Sequence, residues 1–240
     1  MIKRIVSLIA GILLVGCLIT VPAFATTLNV PGTSDMWLAG MPNGSTASTN
    51  DVAPAQSPVL VPGLSLSAGG VLTFSSSGSV ANGPLLTLVG PDGDPTWWIS
   101  HDAGAENGIS DVNSQINALM GVFLGSSQPN LALAPTMLDF AVIGLNFASL
   151  SPELKQVFFI GDGLTGTGSG AMQTFIVPAG ATRLFLGTMD GYEWNNNIGE
   201  FNVTVTQAPI PEPGTLLLLG SGLIGLAGYA KVRFRHRNKK

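Results

Sequence analysis

Two long apolar blocks bracket this chain, and the residues between them follow a different rule. Ile5 to Val21 and Gly214 to Ala230 contain no charged residue. In the interior, apolar runs are short and broken by Gly, Pro and Asn turns, the pattern of strands rather than helices. Val71–Ser77 starts with apolar–polar alternation after the turn Ala68-Gly69-Gly70. Leu85–Val89 closes on Gly90-Pro91-Asp92-Gly93, a strong turn sequence. Gln156–Ile160, Thr174–Val177, Thr182–Leu186 and Glu200–Val205 read as four more strands, with Pro178-Ala179-Gly180 as a tight turn between two of them. Two segments read as helical. Asp111 caps a run to Val122 that places Val112, Ile116, Leu119 and Met120 near one face, and Ser151-Pro152-Glu153-Leu154 has the cap and first-turn proline of a single helical turn. Asn43 to Ala55 is polar and reads as a long loop, and no internal repeat is present. The pattern predicts a mainly β sandwich with one or two short helices.

The apolar ends read as membrane-directed segments. Lys3 and Arg4 precede the first block, and Ala23-Phe24-Ala25 after it fits a small-x-small cleavage site, so residues 1–25 are expected to be a signal helix and the mature chain to start near Thr26. A competing reading takes Leu14-Val15-Gly16-Cys17 as a lipobox with a lipidated Cys17. Cys17 is the only cysteine, so cleavage after Ala25 would leave a domain without disulfides. At the other end, residues 214–230 as a helix would extend about 26 Å, near the lower limit for crossing the hydrocarbon core. Lys231, Arg233, Arg235, Arg237, Lys239 and Lys240 follow it, which places that end in the cytoplasm and the preceding domain outside. Pro211-Glu212-Pro213 cannot continue a helix and stands as extended backbone ahead of the apolar block. The expected division is 1–25 signal, 26–208 exported β-sandwich domain, and 209–240 membrane tail with its transmembrane helix at about 214–230.

Pro211-Glu212-Pro213, a Leu/Gly-rich block and an Arg-rich end closely resemble the PEP-CTERM sorting signal. That resemblance implies a membrane sorting enzyme, exosortase, as partner. It also implies processing near the Pro-Glu-Pro motif, and either release or transfer of the domain to the outer surface or matrix, commonly where extracellular polysaccharide is made.

Charge narrows the interior's partners. Only Lys155 and Arg183 lie between the terminal segments, against thirteen of the fourteen acids, a net of −11. So acidic a domain repels phosphate backbones and excludes nucleic acid as a natural partner, while it attracts divalent cations.

The richest candidate site is Met189-Asp190-Gly191-Tyr192-Glu193-Trp194-Asn195-Asn196-Asn197-Ile198-Gly199-Glu200, a crowd of oxygen donors between two expected strands. Calcium takes six to eight oxygens from carboxylate, amide and carbonyl groups, and an ordinary Asn/Gly hairpin loop would show the same composition. Leu184 to Asp190 followed by Asn196-Asn197-Ile198-Gly199-Glu200-Phe201-Asn202-Val203 is similar to the last strand–loop–strand of calcium-dependent galactose-binding jelly-roll lectins. That resemblance implies a jelly roll with Asp190, Asn196 and Asn197 as calcium ligands and a bridging sugar. Its loop is about one residue shorter here, and Ile198 replaces a small polar residue. Trp97 and Trp98, with His101 and Trp194, are candidate carbohydrate contacts, although neighbours along a strand point oppositely and one of the paired tryptophans is expected in the core. His101 is the interior's one histidine, next to Asp102, and no Gly-x-Ser-x-Gly elbow accompanies it. One histidine and no mature cysteine leave too few good ligands for zinc. Gly161-Asp162-Gly163-Leu164-Thr165-Gly166-Thr167-Gly168-Ser169-Gly170 contains Gly-x-Gly-x-x-Gly without the following helix a dinucleotide site needs, and reads as a surface loop.

The expected protein is therefore exported and sorted, a non-catalytic component of the envelope or extracellular matrix that binds calcium and polysaccharide. A glycan-active hydrolase or lyase and a purely structural surface protein are the alternatives. An enzyme would need two carboxylates in one cleft, whereas the acids in this sequence are scattered.

Overall fold

A computed structural model describes residues 23–48, 51–54, 57–209 and 220–221. The described strands belong to one compact unit, residues 22–208. Residues 1–22 of the expected signal segment, and all of the expected transmembrane helix but residues 220–221, lie outside the described residues; Phe24 and Ala25, expected to end the signal segment, instead open the first strand of the domain. Among the described residues no helix is long and apolar enough to cross a membrane.

One sheet has the order β1-β14-β3-β12-β8, formed by Phe24–Pro31, Ile198–Gln207, Val71–Ala81, Thr174–Ile176 and Ser149–Leu150. A second has the order β2-β13-β6-β9, formed by Val59–Leu60, Arg183–Thr188, Leu119–Leu124 and Val157–Phe159. Trp98–Ser100, Val112–Gln115 and Leu138–Asp139 make the three-stranded β4-β5-β7, and Leu164–Gly166 with Ser169–Met172 make the β10-β11 ribbon. The core lies between the two larger sheets. Leu72, Phe74, Phe201, Val203 and Val205 bury from the first, and Met120, Val122, Leu184, Leu186 and Phe158 from the second. Phe175 of β12 meets Phe74 edge-on at 5.0 Å within its own sheet and Phe158 of β9 at 5.5 Å across the gap. Aromatic contacts of this kind add about 0.5–1.5 kcal/mol beyond area burial.

The mainly β expectation holds, and five of the six expected strands form. Leu85–Val89 does not; Val89 makes only an isolated bridge to Val80. The expected helix over 111–122 is instead two strands, β5 and β6. Asn117 sits at φ 65° between them and breaks any helix there. All six residues of β6 are buried, so this strand lacks the alternation that marks a half-exposed one. Ser151–Leu154 is not helical either. The short helix falls earlier, at Phe140–Ile143 (α1), where the Asp139 carboxylate accepts the Ala141 N–H as a cap. The strand order also departs from the all-antiparallel jelly roll, because β8 joins β12 in parallel and β7 joins β5 in parallel.

Candidate functional site

A cluster of ionisable side chains is buried where the β4 end, the segment after β1 and residues 51–54 meet. Asp35 caps the short 3-10 turn Met36–Leu38, its Oδ1 accepting the Trp37 N–H at 2.8 Å. That turn drives Trp37 fully inside, where its Nε1–H donates to the Ser110 carbonyl at 3.0 Å. His101 follows β4 directly, and its backbone N–H donates to the Asp111 carboxylate. Its ring lies flat on Trp37, with centroids 3.9 Å apart and 18° between planes, and meets Trp194 edge-on at 5.8 Å.

Both ring nitrogens of His101 face acceptors. Nδ1 is 2.7 Å from the Gly104 carbonyl, and Nε2 is 3.0 Å from Asp51 Oδ2 and 3.9 Å from Glu106 Oε2. A carbonyl only accepts, so Nδ1 carries a hydrogen. The bond from Nε2 to Asp51 then needs one more proton, on the ring or on the carboxylate. Burial alone would lower the imidazole. The hydrogen bonds to Asp51 and Gly104 and the charges of Asp51 and Asp35 outweigh it and raise His101 above its ordinary value. Burial, reinforced by the Asp51 charge, pushes the Asp35 carboxyl up to about 8. Burial likewise raises Glu106, against the pull of His101. Asp51 Oδ1, Asp35 Oδ2 and Glu106 Oε2 are buried oxygens that accept no hydrogen bond.

The loop singled out from sequence borders this cluster. Asn195 N–H donates to the Val52 carbonyl at 3.0 Å, holding the chain beside Asp51 against the 3-10 turn Trp194–Asn196. Asp190 is buried, accepts the Gly191 N–H and hydrogen-bonds Asn197; burial outweighs those bonds and raises it to about 6. Asn197 is also buried and donates to the Gly32 carbonyl, whereas Asn196 is exposed and donates to Glu193. Asp190 and Asn196 line one pocket of about 70 Å³ with Trp97, Tyr192, Glu193 and Asn82; Asn197 does not line it. His101 and Trp194 are buried, so the surface left to a sugar is Trp97 and Trp98. Both of those are exposed, against the expectation that one would enter the core.

Asp102 is adjacent to His101 in sequence but is not its partner; Asp51, fifty residues away, is. Asp35, Asp51 and Glu106 carried no local sequence signal, because nothing in a polar loop or a cap position announces a partner on a remote segment. A separate cleft of about 520 Å³ runs between the Gly90–Pro95 turn and the glycine-rich loop, lined by Asp92 and Asp162. Both carboxylates there are engaged with backbone, Asp92 accepting the Asp162 N–H and Asp162 accepting the N–H groups of Leu164 and Gly168.

Residues 209–233 match the PEP-CTERM protein-sorting motif, two residues past the end of β14. The motif marks the chain as an exported, membrane-associated precursor sorted by exosortase. No curated protein matches the chain significantly.

Proposed function

We propose that the domain is a non-catalytic component of the cell envelope or extracellular matrix, carried out by its leader, held at the inner membrane by its tail, and released or transferred by exosortase near Pro211-Glu212-Pro213. The observation that carries this reading is the sorting motif at residues 209–233, immediately after a densely packed β domain with a strongly acidic interior sequence. Replacing Pro211, Glu212 and Pro213 by Ala should leave the uncleaved precursor in the inner-membrane fraction, while the parent chain loses its tail. An immunoblot of fractionated cells reads both. A parent chain that always keeps its tail would sink the processing step.

The ligand reading places calcium at Asp190 and Asn196, with Asn197 behind Asp190 and a sugar face against Trp97. What favours it is the shared pocket, which brings an indole, two carboxylates and two amides together. A glycan array probed with the full chain, with and without calcium, tests it. Binding should need calcium and fall in Asp190→Asn and Trp97→Ala. Binding that ignores both substitutions would remove sugar from this loop.

A glycan-active hydrolase or lyase is the second reading, favoured by Asp92 and Asp162 lining one cleft. Turnover of a labelled polysaccharide, lost in Asp162→Asn, would establish it.

A further inference from the structure

We propose that Asp51, His101 and Glu106 form a binding site for one divalent first-row transition-metal ion, zinc or a near relative, which pins the segment 51–54 to the rest of the domain. One ligand atom from each residue lies within 4.8 Å of the others. Two edges of that triangle are 3.0 Å from His101 Nε2 to Asp51 Oδ2 and 3.9 Å to Glu106 Oε2. Around an ion with bonds of about 2.0–2.2 Å, neighbouring donors stand about 3–3.5 Å apart. The remaining edge, Asp51 to Glu106, is within 4.8 Å, so the Glu106 carboxylate has to draw inward to meet that spacing.

Three further observations point to an ion. Asp51 is 3 % exposed, yet its Oδ1 accepts nothing; Glu106 Oε2 is likewise unpartnered. Asp35 is fully buried behind them with its own Oδ2 free, and its charge couples to Asp51, His101 and Glu106 alike. Buried acceptors without donors are costly and uncommon, and a cation held by Asp51 and Glu106 answers both of theirs at once. Then there is the histidine's orientation. Its Nδ1–H is fixed by the Gly104 carbonyl, which leaves Nε2 as the lone-pair donor, and a backbone carbonyl on the remote nitrogen is the usual support for a metal-bound imidazole. An imidazole with hard carboxylates suits zinc, iron or manganese better than calcium, which takes oxygens alone. The interior's lone histidine argued against zinc; carboxylates brought in from remote segments supply the missing ligands.

The site is separate from the proposed calcium pocket, and the two fail separately. Titrating chelator-stripped full-length chain in detergent with Zn²⁺, by calorimetry, should give one ion per chain. Glu106→Gln, a partly exposed position that should still fold, is expected to weaken binding by about tenfold or more. Asp190→Asn should leave Zn²⁺ binding unchanged. The ring resonances of His101 should shift in step with occupancy, which a change in folding alone would not produce. Absence of one-to-one binding below millimolar Zn²⁺ overturns the proposal, as does binding that Glu106→Gln leaves intact.

Discussion

The His101 imidazole lies parallel to the Trp37 indole at 3.9 Å while its Nε2 meets the Asp51 carboxylate at 3.0 Å. A raised histidine so placed gains from both neighbours, since an indole face attracts a cation and a carboxylate pairs with it. Trp37 therefore has two jobs. It fills core space and it holds the ring that Asp51 engages. Trp37→Ala should cost about 3–5 kcal/mol of stability. In Trp37→Phe the ring contact survives but the Ser110 carbonyl loses its donor, so the loss should be smaller, about 1–3 kcal/mol. Urea denaturation of the two variants checks the ranking, and equal losses would contradict it.

Stability of the metal-free protein should fall as the solution is made alkaline. Asp35 ionises near 3.8 ordinarily and near 8 in the folded protein. Between those values the folded chain keeps a proton that the unfolded chain has given up, so raising the pH favours unfolding across that window. The raised His101 acts in the same sense: its contribution is fully present below its ordinary 6.5 and is lost as pH climbs through its folded value. Glu106 faces the same cluster and is raised by burial, so it acts in the same sense. Denaturation midpoints in chelator should drop from about pH 5 to about pH 8, and Asp35→Asn should flatten the slope. A midpoint that rises over this interval would reverse the assignment.

Gly163 is where the glycine-rich loop is tied down. Its φ is +87°, and a Cβ there would run into the Phe74 carbonyl oxygen. Gly166, three residues on, has nothing nearer than the Ser169 carbonyl at 3.5 Å. Gly163→Ala should destabilise by about 1–3 kcal/mol or more, and Gly166→Ala hardly at all. Thermal melts of the pair decide; matching melts would mean the loop is uncoupled from the sheet.

An epitope inserted just before Pro211 should be open to protease added outside intact inner-membrane vesicles of outside-out orientation, and closed to it in inverted ones. The opposite pattern would place the domain in the cytoplasm.

The strands were legible where one face is wet and the other dry. β3 alternates from Val71 to Phe74, with Leu72 and Phe74 buried, and Gly/Asn/Pro turns fence it. The segment 111–122 misled because β6 is dry on both faces, and a continuous apolar run has no period to read. The loop from Asp190 to Asn197 announced itself through composition, and two of its three marked residues do share a pocket. The buried cluster announced nothing. Asp35 serves locally as a cap, Asp51 sits in a polar loop and Glu106 in a turn, so each has a sufficient local explanation. Only the fold brings them to one histidine, and His101's true partner lay on a segment fifty residues earlier rather than one residue later.

The first strand and the last are zipped together along their whole length, from Phe24 against Gln207 to Pro31 against Glu200. No early portion of the chain can finish that seam, since β14 also supplies the rungs on which β3 rests. The last strand is thus the keystone of this sheet: a chain cut short before Ile198 leaves both β1 and β3 without the neighbour they share along their length.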